Sequence, residues 1–173
     1  MPQQQPHEPR HEMITWEEVD RLVDHLTPQF RREFTAMIII TRGGIIPGGL
    51  LADTMGITHI LTAAVDFPAQ TAREKGALMV WPEFIQFPAD DKLTGRPTLI
   101  VDDVWGSGRT ITAVKNRASA AGGFPETCVL HFNPNRNLFG SVRPDYYAAV
   151  TDAYIVYPWE INRGKDLVRL EGL

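Results

Sequence analysis

Short apolar runs alternate along the chain with stretches of helical pattern, and this alternation constrains the fold most strongly. The run at residues 37–40 consists mainly of branched side chains and ends at Thr41-Arg42-Gly43-Gly44, which is typical of a strand buried on both faces. The same reasoning predicts further strands at residues 59–65, 98–101, 128–132, 146–150 and 154–156. Strands separated by helices indicate an α/β fold with a central, mostly parallel sheet flanked by helices.

The helices of this pattern have recognisable starts and ends. Thr15 followed by Glu18 forms a capping-box signature, and apolar side chains then recur at helical spacing until Pro28. This predicts a first helix from residue 16 onward. We predict two more helices at residues 47–55 and 109–121.

Composition limits the possible partners and the compartment. The chain has 173 residues, 43% of them hydrophobic, and its 17 Lys and Arg against 21 Asp and Glu give a net charge of -4. That charge argues against a nucleic-acid coat and a polybasic membrane binder, and no apolar run reaches the roughly 18 residues of a membrane span. Cys128 is the single cysteine and lies in an apolar stretch, so we interpret it as a buried thiol rather than a catalytic one. We expect a cytoplasmic protein with neither a membrane nor a nucleic-acid partner.

Two segments depart from the regular pattern. Residues 1–12 are rich in Pro, Gln and charge, which predicts a disordered tail ahead of a single domain at residues 13–173. Residues 66–93 contain three prolines and a charged patch and do not fit the strand-helix rhythm. A long irregular insertion of this kind is either a surface hairpin or a mobile lid.

The segment at residues 99–110 carries the strongest chemical signal. An apolar strand delivers Asp102 and Asp103 to its carboxyl end, where open α/β sheets bind ligands, and small residues then lead into a helix whose first N–H groups are unpaired. We interpret this as an anion site beside two carboxylates, which suits a sugar phosphate with its diol and a divalent cation. A helix cap or a metal site of the Walker B kind is the alternative for the two acids. The chain contains neither a G-x-x-x-x-G-K-[ST] nor a G-x-G-x-x-G motif, which excludes the common triphosphatase and dinucleotide versions.

These residues resemble a known family. Residues 101–110 look like the 5-phosphoribosyl-1-pyrophosphate (PRPP) signature of the type I phosphoribosyltransferases. Residues 41–48 are similar to the pyrophosphate loop of the bacterial xanthine-guanine (6-oxopurine) members, and residues 154–160 to their C-terminal base-binding segment. The three matches occur in family order. The resemblance implies the type I phosphoribosyltransferase fold, with residues 66–93 as a flexible hood.

The resemblance also implies a role for each matching group. The 5′-phosphate of PRPP would be held by main-chain N–H groups and hydroxyls of Gly106, Ser107, Gly108, Arg109 and Thr110. The pyrophosphate would be held by Arg42, Gly43, Gly44, Arg73 and Lys75. Residues facing the ribose and Mg²⁺ would be Asp102, Asp103 and Glu160, with Arg42 and the two aspartates as the catalytic set. The base would be held by Asn133, Tyr154 and Ile155. The alternative interpretations, without a role in binding, are an ordinary surface arginine for Arg42 and an aromatic core residue for Tyr154.

Two positions depart from the 6-oxopurine pattern. Gly106 stands where those enzymes usually have an aspartate near the purine N7, and Asn133 aligns with a lysine that donates to O6. We therefore expect a pentosyltransferase of purine salvage that makes a nucleoside 5′-monophosphate from PRPP and a 6-oxopurine or adenine. The alternatives are a regulatory relative that binds PRPP or a nucleotide without catalysis, and a transferase for a non-purine acceptor. Family members are commonly dimers or tetramers, so we expect a homodimer or homotetramer.

Overall fold

The computed structural model describes residues 10–67 and 81–161. Its helices are α1 (Trp16–Leu26), α2 (Ile45–Met55) and α3 (Arg109–Ala120). Its strands are β1 (His11–Met13), β2 (Ala36–Ile40), β3 (Ile60–Asp66), β4 (Glu83–Gln86), β5 (Pro97–Trp105), β6 (Phe124–Phe132), β7 (Tyr146–Val150) and β8 (Tyr154–Val156).

Six of the strands form one sheet in the order β4-β3-β2-β5-β6-β7. Every neighbouring pair in this sheet is parallel except β3 and β4, which are antiparallel. Strands β1 and β8 form a separate parallel pair. The predicted α/β architecture with a mostly parallel sheet is therefore confirmed.

The sheet is covered on both faces, as the apolar runs predict. Along β2, Met37 and Ile39 belong to a core that includes side chains of α1 and α2, whereas Ile38 and Ile40 belong to the core shared with α3. Successive side chains of a strand point to opposite faces, so a strand with helices on both sides is apolar throughout. All five residues of β2 are buried. Burial on both faces fixes β2 and its neighbour β5, and their carboxyl ends carry the site described below.

Helix α1 begins as its sequence predicts. The Thr15 hydroxyl accepts a hydrogen bond from the Glu18 N–H (3.2 Å), and the Glu18 carboxylate accepts one from the Thr15 N–H (2.7 Å). These two bonds pair N–H groups that a helix end otherwise leaves unsatisfied. The buried face of the helix, which includes Val19 and Val23, packs on the sheet.

Strand β5 is longer than the predicted 98–101, because its pairing with β6 continues as far as Trp105 opposite Phe132. On the other side, the described pairing with β2 ends at Val101 opposite Ile39. Asp102 and Asp103 therefore lie in the part of β5 that pairs with β6 only, and the side toward β2 is open.

None of the described helices has the length and apolar character needed to cross a membrane.

The N-terminal tail is shorter than predicted within the described residues. His11 and Glu12 pair with Tyr154 and Ile155 of β8, and the Arg10 side chain bonds Asp152 at 2.8 Å. Residues 10–12 were expected to be disordered because they are polar, but the edge of β8 supplies their backbone hydrogen bonds. Residues 1–9 lie outside the described residues.

Part of the predicted hood is built into the sheet. Residues 83–86 form β4, which pairs antiparallel with β3, as in the surface-hairpin alternative. The rest of the insertion, residues 68–80, lies outside the described residues, and with it Arg73 and Lys75.

Candidate active site

A cavity of about 650 Å³ opens at the carboxyl ends of β2 and β5. Six residues selected from the sequence line it: Arg42, Gly43, Asp102, Asp103, Thr110 and Glu160. They come from three separate segments of the chain, which the fold brings together at this edge of the sheet. Ligands of open α/β sheets bind at this edge.

The loop after β2 lies against β5 without an intervening side chain. The peptide bond between Thr41 and Arg42 is cis, and the Gly44 N–H donates to the Ile40 carbonyl (2.8 Å) as the chain turns into α2. A Cβ atom on Gly44 would lie 2.3 Å from the Val101 carbonyl oxygen. Backbone atoms cannot move away cheaply, so this close approach requires glycine. The turn leaves the exposed Arg42 side chain at the mouth of the cavity.

Gly43 lies directly against the acidic pair. A Cβ atom at this position would lie 2.6 Å from Oδ1 of Asp103. The glycine thus leaves the space that the Asp103 carboxylate occupies. The Asp103 carboxylate also accepts a hydrogen bond from the Val104 N–H (2.7 Å), which holds it beside its own strand.

The two carboxylates are crowded and poorly solvated. The pKa of the Asp103 carboxyl is raised to about 6, first by burial and also by the nearby Glu160 charge, against the lowering effect of the Val104 hydrogen bond. The pKa of Asp102 is raised well above its usual range, first by burial and then by Asp103. Carboxylates held this way favour a proton or a cation, so the pair is suited to a cationic or hydroxyl-bearing ligand.

The phosphate loop, residues 106–110, follows the two aspartates at the end of β5 and leads into α3. Gly108 has a φ of 80°, and a Cβ there would lie 2.4 Å from Nε1 of Trp105, so the loop packs directly on that indole ring. Because Gly108 is the N-cap of α3, the cap position itself supplies no side-chain hydrogen bond to the first N–H groups of the helix. Open N–H groups at a helix start attract phosphate. Of this loop, Thr110 lines the cavity, and the Ser107 hydroxyl accepts a bond from the Arg109 N–H (3.4 Å).

The residues expected to hold the base are not among the lining residues of this cavity. Asn133 is 2% exposed; its amide donates to the Ala153 carbonyl (3.5 Å) and accepts from the Asn135 N–H (3.1 Å). Tyr154 is exposed, with its ring 5.0 Å from that of His11, and Ile155 is a core residue. Within the described residues, the cavity therefore brings the expected ribose and metal residues together with Arg42, Gly43 and Thr110, but not with these three.

Sequence reasoning assigned no role to three aromatic residues near the site. Trp159 lines the cavity, and its ring stacks on Tyr157 at a centroid distance of 4.6 Å. The Tyr157 hydroxyl in turn is hydrogen-bonded to His131 and to the Asp103 carbonyl. The sequence signal was weak, because the two aromatics on either side of Pro158 are equally typical of a core segment.

The donor chemistry of the cavity fits Mg²⁺. Magnesium is bound by one or two carboxylates together with water and phosphate oxygens, rather than by an all-protein cage. Asp102, Asp103 and Glu160 offer such oxygens on one wall of the cavity. Within residues 10–67 and 81–161, no group of three or more His, Cys, Asp or Glu forms a complete metal site. The arrangement therefore suits an ion that arrives with a phosphorylated ligand.

Comparison with known proteins agrees with the fold and with the family that the sequence resembles. No protein-family model matches the chain. Xanthine-guanine phosphoribosyltransferases of Gluconobacter oxydans and Chromohalobacter salexigens are 29% and 25% identical over 154 and 152 residues, which is 85% and 86% of this chain and 83% of each relative. A purine phosphoribosyltransferase from Pyrococcus horikoshii superimposes with a TM-score of 0.72 at 29% identity, covering 87% of this chain and 94% of that one. By sequence and by structure, the chain is similar to bacterial xanthine-guanine phosphoribosyltransferases, and it has the type I phosphoribosyltransferase fold.

Proposed function

We propose that the chain is a PRPP-dependent phosphoribosyltransferase that joins a purine base to 5-phosphoribose and releases pyrophosphate. The observation that carries this proposal is the single cavity shared by Arg42, Gly43, Asp102, Asp103, Thr110 and Glu160. It offers a cation for the pyrophosphate, hydrogen-bond acceptors for the ribose diol and a helix start for the 5′-phosphate. The names of the relatives support the same reaction.

The reaction changes the charge on the ribose and on the leaving pyrophosphate, and the groups in the cavity stabilise these changes. Breaking the bond from C1′ to pyrophosphate leaves positive charge on the ribose and builds negative charge on the leaving group. Arg42 at the cavity mouth donates to the pyrophosphate, as does the N–H group of Gly43, whereas the Gly44 N–H already donates to the Ile40 carbonyl. Asp102 and Asp103 accept hydrogen bonds from the ribose hydroxyls and lie on the side where positive charge develops. The base nitrogen then attacks C1′ from the opposite face.

Magnesium belongs to this proposal through the acidic wall. Asp102, Asp103 and Glu160 would hold it, directly or through water. When bound, the ion supplies positive charge that the leaving pyrophosphate requires. The net charge of -4 does not oppose an anionic substrate, because the acids face the ribose and the metal while N–H groups and Arg42 face the phosphates.

The identity of the purine depends on Gly106 and Asn133. A Cβ atom on Gly106 would have no atom within 4 Å, so the glycine leaves open space where 6-oxopurine enzymes have a carboxylate. Asn133 can both donate and accept, so in principle it could read an oxo or an amino group. It bonds the Ala153 carbonyl and the Asn135 N–H, so it would have to change partners to reach a base. We include adenine among the acceptors together with the 6-oxopurines.

The test is pyrophosphate release. The full chain is incubated with PRPP and Mg²⁺ against adenine, hypoxanthine, guanine, xanthine, uracil and orotate, and calorimetry measures PRPP binding separately. We expect release with at least one purine. PRPP binding without release from any base would instead support a regulatory relative, and release with uracil or orotate alone would support a non-purine acceptor.

The remaining properties are proposals as well. We propose a cytoplasmic enzyme that assembles as a homodimer or homotetramer and has neither a membrane nor a nucleic-acid partner. The hood at residues 66–93, with Arg73 and Lys75, would cover the pyrophosphate, and residues 13–173 would act as one domain together with residues 11–12, which pair with β8. Light scattering of the purified chain measures the oligomeric state, and a monomer at working concentration would contradict the assembly.

A further inference from the structure

Tyr157 contacts three different parts of the cavity wall. Its hydroxyl donates to the main-chain carbonyl of Asp103 (2.9 Å), and its N–H donates to the Glu160 carboxylate (2.9 Å). Its ring stacks on Trp159 with an interplanar angle of 7°. Tyr157 is 1% exposed, so it has no path to the ligand and acts through these neighbours.

Asp103 lies in the part of β5 that has no partner from β2. The described pairing between β2 and β5 ends at Val101, two residues earlier, because the chain turns away at Thr41 toward α2. Pairing with β6 continues past Asp103 on the other side. The Tyr157 hydroxyl donates to the Asp103 carbonyl and so ties this strand end to the C-terminal segment, which includes Trp159 and Glu160.

His131 completes the arrangement from the other side. Its Nδ1 lies 2.9 Å from the Tyr157 hydroxyl, and burial lowers the pKa of His131 to about 4, so the ring is neutral near pH 7. The hydroxyl has one proton, which goes to the Asp103 carbonyl. The His131 Nδ1 must therefore carry the imidazole proton and donate it to the Tyr157 oxygen. The chain of hydrogen bonds thus has a single direction, from His131 through Tyr157 to Asp103.

We propose that Tyr157, held by His131, is a positioning residue that fixes Asp103, Trp159 and Glu160 around PRPP. This inference rests on the proposed function, because it assigns those three residues to the PRPP cavity. It extends the site to two buried residues that do not line the cavity, His131 on β6 and Tyr157 after β8. Loss of the hydroxyl would free the end of β5 beside the ribose, while the ring could still stack on Trp159.

The test compares two tyrosines that differ in location. Tyr157→Phe removes the hydroxyl beside the site. Tyr146→Phe removes the hydroxyl of another buried tyrosine, at the amino end of β7, which donates to the Glu126 carboxylate and accepts from the Arg31 N–H. We expect both variants to lose some thermal stability. Calorimetric titration with PRPP and Mg²⁺ should show about tenfold weaker binding for Tyr157→Phe alone, which corresponds to one lost hydrogen bond. Where a base is turned over, the KM for PRPP should rise by the same factor with a smaller change in kcat.

Variants of His131 test the direction of the hydrogen bonds from His131 through Tyr157 to Asp103. His131→Asn keeps an N–H donor near the position of Nδ1 and should bind PRPP nearly as the parent does, whereas His131→Leu should resemble Tyr157→Phe. In the parent protein, ¹⁵N spectra should show the proton on Nδ1 of His131. A proton on Nε2 would contradict the assigned direction.

The outcomes separate this inference from the proposed function. If the parent protein binds PRPP and Tyr157→Phe binds it equally well, or if Tyr146→Phe weakens binding to the same extent, the positioning role is wrong and the proposed function stands. If the parent protein does not bind PRPP in the presence of Mg²⁺, both proposals are wrong.

Discussion

At the scale of single residues, the site depends on a carboxylate whose environment favours its neutral form. Burial raises the pKa of Asp103 to about 6, so ionising it near neutral pH costs folding free energy. Its Oδ1 accepts from the Val104 N–H, and an asparagine oxygen can take the same bond. The fold therefore needs only an acceptor oxygen at position 103, whereas ligand binding needs the carboxylate.

We therefore expect Asp103→Asn to separate activity from stability. PRPP affinity should fall at least about tenfold, because the amide cannot replace a charged acceptor for the diol and the metal. The melting temperature should stay the same or rise, because a charge near Asp102 and Glu160 is removed. Titration calorimetry and thermal unfolding measure the two effects. A parallel loss of both would show that the fold itself needs the carboxylate.

Gly43 and Gly49 form a matched pair on the loop and the helix that follow β2. A Cβ on Gly43 would lie 2.6 Å from the Asp103 carboxylate, whereas a Cβ on Gly49 would have no atom within 4 Å. Gly43→Ala should displace the carboxylate and lower turnover at least about tenfold, a loss of roughly 1.4 kcal/mol of transition-state stabilisation. Gly49→Ala should keep its turnover and gain up to about 1 kcal/mol of stability from helix propensity. Equal turnover in the two variants would show that Gly43 does not set the carboxylate position.

Gly106 allows a test of base choice by adding a group rather than removing one. Its surroundings accept a Cβ, so Gly106→Asp should fold with little change in melting temperature. The new carboxylate stands at the position that resembles the N7 partner of the 6-oxopurine enzymes. We expect the ratio of kcat/KM for hypoxanthine over adenine to rise. An unchanged ratio in a folded variant would place the base away from residue 106.

At the scale of elements, the crossover from β6 to β7 is joined to the phosphate loop through Asn137. Its Oδ1 accepts from the Trp105 Nε1 (3.2 Å) and its amide donates to the Val142 carbonyl (2.6 Å). The neighbouring Leu138 N–H donates to the Ser107 carbonyl (3.1 Å). The Trp105 ring also supports Gly108, so one asparagine connects the crossover to the loop expected to bind the 5′-phosphate.

Asn137→Ala should therefore loosen both loops together. We expect faster hydrogen exchange at residues 105–108 and 138–142 and a few-fold weaker PRPP binding, because one lost bond is worth about 1 kcal/mol. Asp20→Ala, on the exposed side of α1, is the control and should leave exchange in both loops unchanged. Faster exchange in only one of the two loops would show that they are not coupled through Asn137.

The elements also show what the sequence could predict. Strands β2, β7 and β8 and helix α1 follow from local patterns, since apolar runs and a capping box depend on adjacent residues. Strand β1 is short, polar and exposed, and β4 lies between Pro82 and Pro88, so their order comes from partners distant in sequence. The same limit applies to the site: Asp103 is recognisable from its segment, but its contact with Tyr157 spans 54 positions.

At the scale of the whole molecule, His131 makes folding stability depend on pH. Burial lowers the pKa of His131 to about 4, while an unfolded chain has a histidine pKa near 6.5. Between these values the unfolded state binds more protons than the folded state, so the contribution of His131 to stability is complete above about pH 6.5 and is lost as the pH falls toward 4. The raised pKa values of Asp102 and Asp103 act in the opposite direction.

Comparison with His131→Asn isolates the histidine, because the acidic pair is common to both proteins. The free energy of unfolding of the parent, measured by urea denaturation, should fall relative to that of the variant by about 2–3 kcal/mol between pH 7 and pH 4.5. The asparagine does not titrate in this range and keeps a donor for the Tyr157 oxygen. Parallel pH curves for the two proteins would mean that His131 is protonated as easily in the folded state as in the unfolded one. The neutral Nδ1–H form that orients Tyr157 would then not be enforced by burial.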